Sequence, residues 1–293
     1  MLSGLTQNKV DHSSVWRTLQ RGGFDYGRTF AHVYLEKKPL YQMLLRHCPE
    51  HGIVLEVGCG AAMDSCYLAT QRRSARFCAV DVSREALRIA EGANQHFGTA
   101  VQLVAANAGA LCFPNATFDL VFSQGLIEHF PDPTALIAEQ IRVLKPGAVL
   151  VIDVPQTYSL YTIHKRRQMA RGAWAWGWES QYSYWDLKAL AGRFDLQLLS
   201  ITGWGYDRYT ALLRWPLVKL ERRRSAWARA AHHILSYALP RSLRRVAESA
   251  WVSVEGRLGP FFMQNITAVY RVPDVLRVAV GPAGKTFGGG RAK

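Results

Sequence analysis

The chain has few cysteines and no long apolar run, and both absences narrow what it can be. Its 293 residues include five cysteines, an odd number, and no two of them form a Cys-x-x-Cys pair. Disulfide frames and zinc sites use paired cysteines, so we expect reduced, buried thiols. No window is apolar enough for a membrane-spanning helix, and residues 1–20 are too polar for a secretory signal. We therefore expect a cytoplasmic protein.

Acidic residues are fewer than basic ones: the chain has 22 Asp and Glu and 36 Lys and Arg. Residues 205–260 hold eleven basic and four acidic residues, and therefore half of the net charge of +14. With Trp215, Trp227 and Trp251, this composition predicts basic amphipathic helices. One interpretation is a segment that binds an anionic membrane surface, and the other is a solvated helical cap packed on the domain. The sequence leaves both open.

A short apolar segment, Ile53 to Val57, predicts a buried parallel strand that ends in a glycine turn. Gly58 and Gly60 allow the backbone to approach a ligand closely, and a helix follows from Met63. A dinucleotide fingerprint would need a small residue at Met63, which is bulky. The acidic Glu56, two residues before the first glycine, favours a cationic ligand instead.

Polar side chains also follow the later predicted strands. Asp81 closes the second strand, about twenty residues after the glycine turn, where a carboxylate can accept both hydroxyls of a ribose. Asn107 and Ala108 follow the third strand, and Gln124 follows the fourth. A fifth strand runs from Ala148 to Val154. Strands that alternate with helices predict a doubly wound α/β sheet with its functional residues at the strand ends.

Taken together, these motifs resemble the class I S-adenosylmethionine-dependent methyltransferases, most closely the branch that acts on small molecules, quinone precursors and lipids. The resemblance covers Ile53 to Pro155. It rests on Glu56-x-Gly58-x-Gly60, Asp81, Asn107-Ala108, Phe118-Asp119-Leu120-Val121, Glu128-His129-Phe130-x-Asp132-Pro133 and Leu144-Lys145-Pro146-Gly147. The family implies a mostly parallel, seven-stranded Rossmann-like sheet whose last strand is antiparallel at the edge. It also implies S-adenosyl-L-methionine as methyl donor and S-adenosyl-L-homocysteine as product.

The resemblance assigns a role to each motif. Glu56 and the glycine turn would lie near the methionine part, Asp81 at the ribose, and Val82 and Asn107-Ala108 at the adenine. The predicted cofactor residues are Glu56, Gly58, Cys59, Gly60, Asp81, Val82, Asn107, Ala108 and Gln124. Two positions depart from the common pattern: Ala62 replaces a third glycine, and Asn107 replaces an Asp.

His129 is the predicted catalytic residue, since an oxygen acceptor must lose its proton and imidazole titrates near neutral pH. The alternative is a histidine that only orients the loop. Some quinone-ring relatives place a further Glu three residues before the Glu-His pair to hold a divalent cation. Here that position is Gly125, so we predict no metal.

An aromatic stretch, residues 157–185, predicts a lid over the acceptor. Its predicted substrate-binding residues are Tyr158, Trp178, Tyr182 and Tyr184. We expect a small or lipid-like acceptor, with oxygen favoured as the methylated atom. The chain lacks the Asx-Pro-Pro-aromatic and Pro-Cys motifs of base-methylating enzymes, so we do not expect a nucleic-acid substrate. The alternatives are a membrane-surface methyltransferase acting on a lipid-linked glycan and a non-catalytic nucleoside-binding scaffold.

The predicted organisation follows from these segments. Residues 1–50 form an N-terminal helical cap that includes an amphipathic helix over Leu40–His47, and residues 51–204 form the core with its lid. The basic insertion spans 205–260, the final core strand spans 261–272, and 273–293 form a flexible basic tail. The sequence does not indicate an oligomeric state.

Overall fold

A computed structural model of the chain describes residues 12–205 and 258–274. Most of the predicted basic insertion, with its three tryptophans, lies outside these residues, as does most of the predicted tail. The described part contains no helix that is both long enough and apolar enough to cross a membrane.

Seven strands form one sheet, in the order β3-β2-β1-β4-β5-β7-β6. Their bounds are β1 Ile53–Val57, β2 Arg76–Asp81, β3 Gln102–Ala105, β4 Phe118–Gln124, β5 Leu144–Pro155, β6 Gln197–Trp204 and β7 Asn265–Arg271. Neighbouring strands from β3 to β5 pair in parallel, whereas β7 is antiparallel to both β5 and β6. The predicted fold class is confirmed.

The position of the last strand needs a correction. We expected it at the sheet edge and beginning at residue 261, but β7 begins at Asn265 and lies between β5 and β6. All residues from Ile266 to Tyr270 are buried, as expected for a strand in the interior of a sheet. An interior strand is covered on both faces and hydrogen-bonded on both sides, so it reads as a continuous apolar run.

Seven helices of the described residues flank the sheet. They are α1 His12–Arg21, α2 Tyr26–His47, α3 Met63–Gln71, α4 Arg84–Phe97, α5 Thr134–Arg142, α6 Leu160–Ala170 and α7 Tyr184–Arg193. The helix predicted over Leu40–His47 is the last part of α2, which continues through Pro39. Asp25 caps its first turn by accepting a hydrogen bond from the backbone N–H of Arg28 at 2.9 Å.

The central strands bury side chains on both faces of the sheet. Leu55 and Val121 belong to a core cluster on one face, and Val54 and Leu120 belong to a cluster on the other. This two-sided burial is typical of parallel strands covered by helices. In this sheet β1 and β4 are neighbours at the point where the strand order reverses, which is where open α/β sheets bind ligands.

Candidate active site

A cavity of about 1630 Å³ lies at the carboxyl ends of the parallel strands. Its wall brings together nine residues that were predicted as one group from four separate segments: Glu56, Gly58, Cys59, Gly60, Asp81, Val82, Asn107, Ala108 and Gln124. His129 lies on the same wall. Segments that are distant in the sequence therefore meet around one space at the ends of the parallel strands.

The glycine turn after β1 is built around Asp81. Gly58 and Gly60 have positive φ angles of 72° and 51°, which other L-residues adopt at a cost. One carboxylate oxygen of Asp81 accepts a hydrogen bond from the Gly60 N–H at 2.8 Å, and the other accepts from the Ser83 N–H at 2.8 Å. These two backbone bonds fix the carboxylate and leave its remaining lone pairs for a ligand.

Glu56 is buried at the end of β1, with 3% of its surface exposed. Its carboxylate accepts hydrogen bonds from the backbone N–H and the hydroxyl of Ser65, at 3.1 and 2.5 Å. Burial and the nearby Asp64 raise the pKa of Glu56 to about 8, against the opposing effects of Ser65 and Lys37. A cation bound beside this carboxyl would favour its ionised form.

Lys37 is a site residue that the sequence did not indicate. It lies on α2, and its Nζ donates to both carboxylate oxygens of Asp64 at 2.9 and 2.8 Å and to Oε1 of Gln124 at 2.6 Å. The Tyr41 hydroxyl donates to the same Asp64 at 2.7 Å. Helix α2 is thereby tied to the first turn of α3 and to the end of β4, and it closes one side of the cavity.

The predicted adenine end of the cavity contains an exposed apolar side chain. Val82 directly follows Asp81 and is 76% exposed, although it lies on the cavity wall. Asn107 follows β3, the strand that pairs with β2. Its Oδ1 accepts a hydrogen bond from the Gly109 N–H at 2.9 Å, which holds the loop in an Asx turn. An apolar surface beside a fixed amide oxygen fits a flat heterocycle with an exocyclic amine.

Glu128 and His129 form a short 3-10 turn, Ile127–His129, after β4. Both residues line the cavity, and Glu128 is only 2% exposed. Burial raises the pKa of the Glu128 carboxyl to about 8. The backbone carbonyl of Glu128 accepts a hydrogen bond from the Ser180 N–H at 2.8 Å, so this turn is attached to the lid.

The lid places different aromatic residues on the cavity than we predicted. None of Tyr158, Trp178, Tyr182 and Tyr184 belongs to the wall. Tyr158 and Trp178 point outward and are 60% and 43% exposed, because they occupy the solvent side of the segment. Tyr182 packs beside the Ile127 carbonyl, and Tyr184 stacks on Phe261.

The cavity is instead lined by three other lid aromatics, Tyr161, Trp174 and Trp176, together with Trp16 of α1. Trp16 and Trp176 meet edge to face with their ring centroids 5.7 Å apart, so α1 and the lid touch above the cavity. The described residues therefore do form an aromatic wall, but its side chains are not the four that we predicted.

A buried ion pair holds the lid in this position. The Lys165 ammonium, on α6, lies 2.6 Å from Oε2 of Glu179, and their side chains are 0% and 6% exposed. The Trp174 indole N–H donates to the other Glu179 oxygen at 2.7 Å. Because Glu179 and Trp174 both line the cavity, the pair positions its aromatic wall.

A metal site is not evident in the described ranges. No group of three or more His, Cys, Asp or Glu side chains there could hold a metal ion. The five cysteines are all reduced, and four of them are buried.

A comparison with known protein families finds a match. Residues 55–152 match the family described as a methyltransferase domain. These residues therefore form a methyltransferase domain, and the match spans the glycine turn, Asp81, Asn107 and the Glu128-His129 pair.

Curated relatives match about half of the chain. The chain is 30% identical over 154 residues to a trans-aconitate 2-methyltransferase of Azoarcus sp. strain BH72, covering 53% of this chain and 54% of that protein. It is 29% identical over 164 residues to a malonyl-[acyl-carrier protein] O-methyltransferase of Hahella chejuensis, covering 56% and 57%. A ubiquinone biosynthesis O-methyltransferase of the same organism is 29% identical, covering 53% and 66%. The chain spans about half the length of the first two relatives.

Solved structures share the fold at low sequence identity. A chain of the complex between the Haloferax volcanii Trm112 methyltransferase activator and a methyltransferase superposes with a TM-score of 0.56 at 15% identity, covering 90% of this chain and 98% of that chain. A methyltransferase from Methanosarcina mazei gives 0.52 at 16%, covering 79% and 97%. At such identities the likeness concerns the fold alone.

Proposed function

We propose that this protein uses S-adenosylmethionine to methylate an oxygen atom of a small or lipid-like acceptor. One observation carries the proposal: the nine predicted cofactor residues line a single cavity whose wall also includes the aromatic side chains of Trp16, Tyr161, Trp174 and Trp176. The three curated relatives support the choice of small acceptors, because their names specify trans-aconitate, malonyl-[acyl-carrier protein] and ubiquinone biosynthesis. Two of those names also specify methylation at oxygen.

The residues at the strand ends fit the donor. Asp81, fixed by two backbone N–H groups, would accept the ribose hydroxyls, and Val82 would lie against the adenine. Glu56 lies under the glycine turn, and it suits the positively charged methionine end. When bound, the donor supplies a methyl group on a sulfonium whose departure leaves a neutral thioether. The protein then needs to align the acceptor and exclude water.

An oxygen acceptor must also lose a proton. His129, the predicted base, and the adjacent Glu128 both line the cavity, so each is a candidate to accept that proton. We keep the prediction that no metal takes part, since Gly125 stands where a metal-binding relative would have Glu.

Calorimetric titration with S-adenosylhomocysteine tests the proposal. We expect binding to the wild type and a loss of about a hundredfold in affinity for Asp81→Ala, which removes two ligand hydrogen bonds and the brace of the glycine turn. Asp132→Ala is the matched control, because Asp132 is an exposed aspartate outside the cavity. No heat with the wild type, or equal affinities for the two variants, would refute the proposal.

The membrane-surface alternative, methylation of a lipid-linked glycan, has one observation in its favour. Trp185, Leu258 and Phe261 are large apolar residues, and they are 61%, 52% and 40% exposed. Leu258 lies within the predicted basic insertion, residues 205–260, and Phe261 directly follows it. Co-sedimentation with vesicles of anionic lipid tests this alternative, and a protein that stays in the supernatant would eliminate it. Methyl transfer to any acceptor would eliminate the other alternative, a non-catalytic nucleoside-binding scaffold.

A further inference from the structure

The charge of the cavity is opposite to that of the chain. The chain carries a net charge of +14. The described residues that line the cavity nevertheless include seven carboxylic acids against two permanent cations, Lys37 and Arg84; the acids are Asp25, Glu56, Asp64, Asp81, Glu85, Glu128 and Glu179. Such a wall attracts a cationic donor and repels an anionic acceptor.

The cations near the acceptor end are already paired. Lys37 holds Asp64 at 2.8 Å, and Lys165, behind the lid, holds Glu179 at 2.6 Å. An anionic acceptor brought to the lid would therefore meet carboxylates, and neither of these two described lysines would be left to neutralise it. An uncharged acceptor avoids this cost.

Glu128 has unused hydrogen-bonding capacity at the acceptor end. Its Oε2 is buried and has no hydrogen-bond partner among the described residues. Buried polar atoms are nearly always paired, so an orphan oxygen at a cavity wall indicates a ligand group. Gly125 lies next to this carboxyl group, because a Cβ built on it would lie at a contact distance of 3.5 Å from Oε1 of Glu128. Gly125 itself lines the cavity.

We propose that the acceptor is an uncharged hydroxyl compound whose O–H group donates a hydrogen bond to the carboxylate of Glu128. This inference rests on the proposed function. As the acceptor oxygen forms its bond to the methyl carbon, the carbon–sulfur bond breaks and its electron pair stays on sulfur. The hydroxyl proton passes to the Glu128 carboxylate and then to water. Glu128, rather than His129, is thus the proton acceptor.

The charge of the acceptor can be tested on the full chain saturated with S-adenosylhomocysteine. Titration with 2-naphthol and with 2-naphthoate compares two probes of the same ring system, one with a hydroxyl and one with a carboxylate. We expect 2-naphthol to bind about tenfold or more tightly than 2-naphthoate. Equal or tighter binding of 2-naphthoate, or no binding of either probe, would overturn the inference.

Two variants separate a local contact from the overall charge of the cavity. Glu128→Gln should reduce the preference for 2-naphthol severalfold. Glu85→Gln is the matched control: it replaces a carboxyl group of the same cavity by an amide, at a side chain that accepts from the Ser83 hydroxyl at 3.2 Å. It should reduce the preference much less than Glu128→Gln does. Equal effects of the two variants would overturn the role of Glu128.

The pH profile distinguishes Glu128 from His129. With a pKa of about 8, the Glu128 carboxyl ionises as the pH rises, so methylation of 2-naphthol should increase through that range. The charged groups that face Glu128 are Glu179, Asp153 and Lys165, and His129 is adjacent. The increase should disappear in Glu128→Gln and persist in His129→Gln, and the reverse pattern, or no methylation of 2-naphthol by the wild type, would overturn the assignment. Absence of S-adenosylhomocysteine binding would instead refute the proposed function itself.

Discussion

The two halves of the cavity are held in place by different kinds of bond. In the donor half, Asp81 is fixed by backbone N–H groups at the ends of parallel strands. In the lid half, Lys165, Glu179 and Trp174 are fixed by one another through side-chain bonds. The first arrangement follows from the fold itself, whereas the second depends on the particular residues of this chain.

The largest effect should come from breaking the lid ion pair. Lys165→Met leaves Glu179 buried without its cation, and loss of one partner of a buried pair costs about 3–5 kcal/mol. We expect hydrogen exchange of residues 160–183 to accelerate accordingly, with little change in S-adenosylhomocysteine affinity. The double variant Lys165→Met/Glu179→Gln should recover much of the protection, because Gln still accepts from Trp174.

This prediction would fail in either of two ways. Unchanged exchange over residues 160–183 would show that the pair does not hold the lid. A loss of donor affinity as large as the loss of protection would show that the two halves are not separable.

Much of the donor half could be predicted because its residues lie at strand ends. Glu56 is the next-to-last residue of one apolar strand, and Asp81 is the last residue of another. Parallel strands bring their carboxyl ends to the same edge of the sheet. Lys37 could not be found in this way. Pro39 suggests a helix boundary in the sequence, yet α2 runs through it, so the position of Lys37 over Gln124 depends on the tertiary packing of that helix.

The lid illustrates the same limit. Its aromatic composition indicated an aromatic wall, but which rings face inward depends on the direction of α6 and on the bonds of Glu179. Tyr158 and Tyr161, only three residues apart, end on different sides. The place of β7 within the sheet also escaped prediction, since the apolar run indicates burial without naming the neighbouring strands.

A smaller effect should follow from closing the gap above the glycine turn. A Cβ at Gly60 would lie 2.7 Å from the Trp16 ring, so Gly60→Ala should displace that indole and weaken S-adenosylhomocysteine binding about tenfold. Gly98→Ala is the control: its φ of 62° imposes similar backbone strain, but a Cβ there meets nothing within 4 Å. Tryptophan fluorescence should change in the first variant alone, and identical behaviour of both would contradict the contact.

The smallest effect is a pH dependence of donor binding. Because the pKa of Glu56 is raised to about 8, its carboxyl is mostly protonated at pH 7 and must release a proton when a cation binds beside it. Affinity for S-adenosylmethionine should therefore rise about fivefold between pH 7 and pH 8. Calorimetry in buffers of different ionisation enthalpy should detect the released proton, and Glu56→Gln should abolish both effects. A wild-type affinity that falls over this range would contradict the assignment.

A crystal structure of the chain with S-adenosylhomocysteine tests the central claim most directly. We predict the ribose hydroxyls on the Asp81 carboxylate, the adenine between Val82 and Asn107, and the sulfur facing the wall formed by Glu128, His129 and the lid. A ligand bound elsewhere, or one whose ribose does not contact Asp81, would contradict the account.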